Sequence, residues 1–150
     1  MKINRSVLKD HNWMIRRKIV IEADMFYSDA YQGLKPSSIK VLQRFLQKRT
    51  WDNKDKKYNN DILVFTYSEA EALGISRSQF QRSLRELFET GFIEIYHQGG
   101  QFGQGKDFSR YRLIDTWRLY GTSNFPSLKK KKGVNTGGFD EYNALRIHHP

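Results

Sequence analysis

Two signals for the start of a helix follow each other closely in the middle of the chain. The first runs from Ser68 to Glu71 and the second from Ser76 to Gln79. In each, a serine can cap the helix while the side chain at the third helical position bonds back to the serine amide. Gly74 lies between the two signals and is suited to the left-handed backbone conformation that ends a helix. The sequence therefore predicts a short helix, a tight turn and a second helix.

The second helix is expected to bury one face and to be followed by a β-hairpin. The apolar residues that recur along it at helical spacing are Phe80, Leu84, Leu87 and Phe88. Gly91 is suited to end this helix, and Phe92 to His97 then alternates as a strand does. A glycine-rich loop over 99–105, expected to be long and flexible, leads to a second alternating segment, Phe108 to Trp117. The two alternating segments predict the hairpin.

The segments before these helices predict a scaffold. Lys18 to Met25 is rich in β-branched residues and predicts a short strand, after which Ser28 is suited to cap a brief turn. Pro36 to Arg49 predicts a helix, because apolar residues recur in it at helical spacing. Those residues are Ile39, Leu42, Phe45 and Leu46. Asp52 to Asp61 is polar and predicts a solvent-exposed loop, and Ile62 to Thr66 predicts a short strand.

The length of the chain favours one domain with flexible ends. A chain of 150 residues is about the size of one ordinary domain, so one hydrophobic core is expected rather than two. We expect an α+β domain over 19–120, a flexible basic arm over 1–18 and a flexible basic tail over 121–150. The tryptophans are expected to be packing anchors rather than base-stacking platforms. They are Trp13, Trp51 and Trp117.

The charge of the chain favours a partner that carries phosphate. Lys and Arg total 26 against 16 Asp and Glu, which gives a net charge of +10. Nucleic acid is the first expectation and an anionic membrane the second, but no apolar run approaches the roughly 20 residues that span a bilayer. The chain has no cysteine, which excludes disulfides, thiolate catalysis and Cys-ligated zinc. The first 26 residues do not have the pattern of a secretory signal, so we expect a cytoplasmic protein of a bacterium, phage or mobile element.

The segment from Leu73 to Leu84, followed by Leu87 and by Gly91 to Ile93, resembles the winged helix-turn-helix of GntR-like regulators. DNA-binding proteins of phages and mobile elements are similar over a longer span, which includes the segments 28–34, 111–113 and 117–118. The resemblance implies a three-helix core with a β-hairpin wing. In GntR-like proteins the residues just inside the recognition helix touch DNA, which implies contacts by Arg77, Ser78, Gln79 and Gln81. The chain departs from those regulators because no large effector-binding domain follows the hairpin, so we expect no small-molecule effector.

The second helix carries side chains with the chemistry to contact DNA. In the major groove Arg can donate twice to guanine, and Gln can both donate to and accept from adenine. The candidates here are Ser68, Arg77, Ser78, Gln79, Gln81, Arg82 and Arg85, of which Arg85 is assigned to phosphate. The alternative is a merely solvated surface, since any amphipathic helix has a polar face. The two successive helix-start signals favour DNA contact.

Two further basic or polar segments are candidate DNA contacts. At the tip of the hairpin they are Gln101, Gln104 and Lys106, which are suited to lie along the DNA backbone or to enter the minor groove. The alternative there is an ordinary mobile loop. In the tail they are Lys129, Lys130, Lys131 and Lys132, which are suited to nonspecific phosphate contacts or are simply solvated.

No constellation of residues indicates an enzyme, a cofactor or a metal. The run from Gly100 to Asp107 nearly matches a phosphate-binding loop, but Asp107 stands where a Ser or Thr would bind magnesium. Glu69 and Glu71 are explained by capping and by the helix dipole. The histidines do not have metal-ligand spacing. They are His11, His97, His148 and His149.

The leading hypothesis is a site-specific double-stranded DNA-binding protein. It would act through a recognition helix at about 77–90 and a wing at about 92–117, as a transcription regulator or a replication initiator. A repressor would usually be a homodimer on a palindrome, whereas an initiator would bind direct repeats and recruit replication proteins. The alternative from another class is a module that uses the same fold to bind protein or RNA. Steep salt dependence with a sequence preference would distinguish the first hypothesis from the second.

Overall fold

The structure, a computed structural model, describes residues 18–59, 61–99, 101–102, 105–106 and 108–126. The helices are α1 (Ala23–Phe26), α2 (Asp29–Gln32), α3 (Pro36–Gln47), α4 (Tyr67–Ala72) and α5 (Arg77–Thr90), with a 3₁₀ helix at Thr116–Leu119. The strands are β1 (Trp51–Asp52), β2 (Lys57–Tyr58), β3 (Leu63–Val64), β4 (Ile93–His97), β5 (Gln101–Phe102), β6 (Gly105–Lys106) and β7 (Arg110–Leu113). This mixture of helices and small sheets confirms the α+β class.

The largest sheet has three antiparallel strands in the order β3-β7-β4. Leu63 of β3 pairs with Tyr111 of β7, and Ile93 of β4 pairs with Leu113 of β7. The register shifts between Ile95 and His97, so the ladder is irregular toward the tip of the β4–β7 hairpin. The other two sheets are the short hairpins β1–β2 and β5–β6.

The core lies between the sheet and the helices α3 and α5. Phe45 of α3 makes edge contacts with Phe65 and Tyr111, with ring centroids 5.1 and 5.5 Å apart, and Phe65 lies 4.8 Å from Phe80 of α5. These aromatic contacts join α3, α5, β7 and the segment after β3 into one cluster. The predicted stripe of α5 is confirmed, since Phe80, Leu84, Leu87 and Phe88 are all buried.

The local signals around α5 are also confirmed. Ser76 Oγ accepts from the Gln79 amide at 3.3 Å, and Gln79 Oε1 accepts from the Ser76 amide at 3.1 Å, which completes the capping box. Gly74 and Gly91 have positive φ of 76° and 90°, the conformation that favours glycine. Upstream, Ser28 Oγ accepts from the Tyr31 amide at 3.2 Å and caps α2, as its position predicted.

The predicted cap of the first helix is wrong. α4 is capped by Thr66, whose Oγ1 accepts from the Glu69 amide at 3.2 Å while Glu69 Oε2 accepts from the Thr66 amide at 3.0 Å. Ser68 therefore lies inside the first turn and is exposed, and Glu71 is not its partner. Thr66 to Glu69 has the same capping-box spacing, and the bonds of the Glu69 carboxylate to Arg44 and Lys48 favour it over the predicted box.

The strand predicted over Lys18 to Met25 is wrong as well. Residues 18–22 have no regular structure and α1 begins at Ala23. The side chains of Ile19 and Val20 are 44% and 37% exposed, so the β-branched run does not pack on a sheet face. A strand needs a paired neighbour, and none of the described strands pairs with this run.

Several predicted boundaries and burials change in detail. The scaffold helix ends at Gln47 and buries Val41, which the predicted stripe omitted, while Ile39 is only half-buried. The loop predicted over Asp52 to Asp61 is largely exposed but contains β2 and the second residue of β1, and the loop predicted over 99–105 contains β5 and the first residue of β6. The strand predicted over Phe108 to Trp117 is shorter, because β7 ends at Leu113.

One of the described tryptophans is a buried packing anchor, as predicted, and the other is not. Trp117 is a packing anchor, only 4% exposed, with its ring stacked 5.8 Å from that of Phe92. Trp51 is 42% exposed, so it is not the buried anchor that was expected. Trp13 lies outside the described residues.

Candidate nucleic-acid interface

A tight turn fixes the angle at which α5 leaves α4. The amide of Gly74 donates to the Glu71 carbonyl at 2.9 Å, and the amide of Ile75 donates to the Ala70 carbonyl at 2.9 Å. Ile75 is buried, and the capping box of Ser76 begins the next helix at once. The turn therefore has little freedom, and the N-terminal half of α5 is held at a defined place on the surface.

The outward face of α5 brings most of the predicted DNA contacts together. The residues of this face are Arg77, Ser78, Gln79, Gln81 and Arg82, which are exposed, and Arg85, which is half-buried. The opposite face is the buried stripe in the core. Ser68 lies separately, exposed in the first turn of α4. The three arginines make the outward face basic, although Glu86 and Glu89 lie on the C-terminal half of the same helix.

Tyr67 organises two of these side chains. Gln81 Nε2 donates to Tyr67 Oη at 2.9 Å, and the guanidinium carbon of Arg77 lies 4.3 Å from the centroid of the Tyr67 ring. The ring itself packs edge-on against Phe80, with centroids 5.5 Å apart. Tyr67 thus fixes Arg77 and Gln81 side by side at the surface. Tyr67 was not among the predicted site residues, because its only signal in the sequence is an aromatic side chain next to the start of the first helix.

Gln79 has a structural task that limits its availability to a ligand. Its Oε1 accepts from the Ser76 amide in the capping box, which leaves its NH₂ group and one oxygen lone pair for another contact. The Ser78 hydroxyl lies 3.4 Å from the Ser76 hydroxyl, within the same small network. A bidentate contact by Gln79 to adenine would share the Oε1 that is used in the cap, and one by Gln81 would share the Nε2 group that donates to Tyr67 Oη.

The scaffold holds α5 from its other flank. The Glu86 carboxylate accepts from the Lys35 amide at 3.3 Å and from the buried Ser38 hydroxyl, both at the start of α3. Nearby, Ser83 Oγ donates to Ser37 Oγ at 3.1 Å. A carboxylate at the N-terminus of α3 also complements the helix dipole. Glu86 is therefore engaged with α3.

A nearly buried ionic cluster fixes the start of α4. Glu69 Oε1 accepts from Arg44 at 3.1 Å and from Lys48 at 2.6 Å, and all three side chains are largely shielded from water. Burial alone would raise the pKa of the Glu69 carboxyl, but hydrogen bonds from Lys48, the Thr66 amide and Arg44 hold that pKa below its ordinary value. The ionised carboxylate positions Tyr67, which lies between Thr66 and Glu69 in the same turn.

The β4–β7 hairpin lies after α5, with its tip toward the short β5–β6 pair. In that pair Gln101 is opposite Lys106 and Phe102 is opposite Gly105. The candidate Gln104 lies outside the described residues. The four lysines of the predicted tail, Lys129, Lys130, Lys131 and Lys132, also lie outside the described residues.

The described residues contain neither a cluster of three or more metal-binding side chains nor a helix long and apolar enough to cross a membrane. Comparisons of the chain with protein-family models, with curated proteins and with solved structures find no match. The chemistry of this surface is therefore inferred from its own residues and their geometry.

Proposed function

We propose that the chain is a winged helix-turn-helix protein that binds a specific site in double-stranded DNA. In this proposal α4 and α5 form the helix-turn-helix, α5 is the recognition helix and the β4–β7 hairpin is the wing. The biological setting proposed is the cytoplasm of a bacterium, where the protein acts as a transcription regulator or replication initiator of a phage, plasmid or mobile element. Its partners would then be duplex DNA, a second copy of the chain, or replication or transcription proteins.

The observation that carries this proposal is the pair formed by Arg77 and Gln81 on Tyr67. A recognition helix contacts bases chiefly through its N-terminal residues, and these two side chains lie one turn apart in the N-terminal half of α5. Arg suits guanine and Gln suits adenine in the major groove. Contacts that fix both side chains before binding reduce the entropy lost on binding.

The remaining side chains fit supporting roles. Arg82 and Arg85 follow on the outward face and are suited to phosphates on either side of the groove. The exposed Ser68 hydroxyl at the start of α4 is suited to a further phosphate contact. The net charge of +10 adds a long-range attraction for any nucleic acid, which positions the protein without specifying a sequence.

Selection of bound duplexes from a random library tests the proposal. We expect a recovered motif, and we expect the double variant Arg77→Ala/Gln81→Ala to weaken binding to that motif by at least about tenfold. Binding of the variant to scrambled duplex should change much less, since phosphate contacts supply that affinity. The matched control is Asn53→Ala/Lys54→Ala, which removes one amide and one cation from an exposed hairpin remote from α5 in sequence.

Two results would overturn the proposal. One is the absence of any motif together with weak, sequence-indifferent DNA binding, which would favour a module that binds protein or RNA. The other is a motif that the Arg77→Ala/Gln81→Ala variant binds as tightly as the parent chain does. That result would show that these two residues of α5 do not contact the motif. Thermal unfolding of each variant checks that the fold is intact.

A further inference from the structure

A second basic surface lies outside the proposed recognition helix. It is a groove of about 740 Å³ between the β1–β2 hairpin, the end of α3, the segment before α1 and the chain from β7 into the 3₁₀ helix. This volume is within the range of sites that bind small ligands. None of the residues that line the groove belongs to α4, α5 or β4. The groove therefore shares no residue with the proposed recognition helix, and its residues Arg112 and Leu113 belong to β7 of the proposed wing.

The groove is lined by more cations than carboxylates. The cations are Arg49, Lys56, Lys57, Arg112 and Arg118, and the carboxylates are Glu22 and Asp115. Arg118 is engaged with Glu22, at 3.8 Å, and with Asp24, and Arg112 is engaged with Glu94 at 3.3 Å. On the hairpin side, Lys57 lies 3.6 Å from the exposed Asp55 carboxylate and pairs across the β1–β2 ladder with Asp52. Among the described residues neither carboxylate lines the groove, whereas Arg49, Lys56 and Lys57 do, so its hairpin side suits an anionic ligand.

Aromatic rings lie beside these cations. Trp51 is 42% exposed and packs edge-on against Tyr58, with centroids 4.9 Å apart. The Arg49 guanidinium carbon lies 4.0 Å from the centroid of the Tyr58 ring, and Arg49 also donates to the Val20 carbonyl at 3.0 Å. An exposed indole whose position is fixed by a neighbouring ring offers a flat apolar face to a planar ligand. The buried Trp117 contributes to the groove wall.

We propose that this groove binds a single strand of nucleic acid. A base stacks on Trp51, and the phosphates that flank it lie against Lys56 and Lys57. Single strands are bound by this combination of aromatic stacking and a basic channel, because their bases present free faces. A duplex keeps those faces stacked internally, and an acidic peptide gains nothing from the exposed indole. This binding does not depend on the proposed recognition of duplex DNA by α5.

The test uses the full chain and a fluorescently labelled short oligothymidylate. We expect saturable binding that Trp51→Ala weakens about tenfold, the scale of one lost base-stacking contact. Lys56→Gln/Lys57→Gln should also weaken binding and should flatten its salt dependence. Lys54→Gln is the matched control, because Lys54 lies on the same hairpin but does not line the groove, and it should bind as the parent chain does.

An abasic oligomer with the same number of phosphates separates stacking from charge. We expect it to bind about tenfold more weakly than oligothymidylate, and we expect Trp51→Phe to retain more binding than Trp51→Ala. Equal binding of the abasic oligomer, or equal competition by a polyglutamate peptide, would overturn the proposal in favour of a general anion or acidic-peptide site. Unchanged binding by Lys56→Gln/Lys57→Gln would overturn it too.

The Arg77→Ala/Gln81→Ala variant keeps the two proposals distinguishable. It should lose the duplex motif and retain oligothymidylate binding, because neither residue lines the groove. If this variant lost oligothymidylate binding while its fold stayed intact, the single strand would be bound by α5, and the groove proposal would fail.

Discussion

One carboxylate, Glu69, connects the N-terminus of α4 to Arg44 of α3 and to Lys48, the residue that follows α3. It closes the capping box with Thr66 and accepts hydrogen bonds from Arg44 and Lys48. Moving these charges out of water is costly, and the arrangement is stable only because each carboxylate oxygen is hydrogen-bonded. The carboxylate thus fixes the turn that contains Tyr67, on which Arg77 and Gln81 are positioned.

Replacing Glu69 should therefore destabilise the fold in a pH-dependent manner. We expect Glu69→Gln to lower the free energy of unfolding at neutral pH by about 3 kcal/mol, since it leaves two shielded cations without their counter-charge. The folded state holds the pKa of Glu69 below its ordinary value of 4.5. The parent's advantage is then fully present above about pH 4.5 and is lost as the pH falls through the folded pKa.

Urea unfolding of the parent and of Glu69→Gln across the acid range measures this effect. Glu71→Gln is the control, because Glu71 lies on the same helix and is exposed. A stability difference between the parent and Glu69→Gln that stayed constant from neutral to strongly acid pH would contradict the assignment.

The hydroxyl pKa of Tyr111 gives a prediction for stability at alkaline pH. Burial raises the pKa of its hydroxyl to about 12, partly offset by a hydrogen bond with Ser109. In the unfolded chain this hydroxyl ionises near its ordinary value of 10.0, so the fold should lose stability as the pH rises above 10. Absorbance of tyrosinate should show a late step that Tyr111→Phe removes and that Tyr27→Phe, at a residue 77% exposed, leaves in place.

At the scale of elements, the sequence predicts best where the cause is local. The capping box of Ser76 and the C-terminal cap at Gly91 depend on neighbours within one helical turn, and both were predicted. The cap of α4 was mispredicted, because both Thr66–Glu69 and Ser68–Glu71 have the spacing of a capping box. Spacing does not choose between them, whereas the bonds of Glu69 to Arg44 and Lys48 favour the first.

The same distinction explains the other differences. The β-branched residues at 19–21 favour a strand, but a strand forms only where a partner edge is available, and pairing partners are set by the tertiary fold. The outward face of α5 was predicted from its periodicity, whereas the role of Tyr67 follows from the packing of α4 on α5. Of the candidate site, the sequence thus predicted the residue types but not the contact that fixes them.

The cap of α5 can be tested with a matched pair of serines. Ser76→Ala removes the hydroxyl that accepts from the Gln79 amide and should cost about 1 kcal/mol of stability. Ser78→Ala removes an exposed hydroxyl from the same first turn, whose contact with the Ser76 hydroxyl is long at 3.4 Å, and should cost much less. Chemical denaturation compares the two, and equal losses would show that the capping bond contributes nothing specific.

At the scale of the whole molecule, the net charge of +10 and the two proposed surfaces have separable effects. Long-range attraction acts on every nucleic acid and weakens with added salt. Contacts on α5 and in the groove are short-range and should distinguish duplex from single strand. Removing a charged side chain that acts only at long range should therefore weaken duplex binding and single-strand binding slightly. Removing one that contacts the nucleic acid should strongly weaken the binding of that nucleic acid.

The salt dependence of duplex binding tests whether Arg82 contacts a phosphate. The logarithm of duplex affinity falls linearly with the logarithm of salt concentration. Each phosphate that the protein neutralises makes this slope steeper by about 0.9. We expect Arg82→Gln to lower that slope by about one contact while the preferred motif stays the same. Lys54→Gln removes the same charge from the β1–β2 hairpin and should leave the slope for duplex unchanged. If both variants lowered the slope equally, Arg82 would contribute only to the general field of the molecule, and phosphate contact by this face of α5 would be excluded.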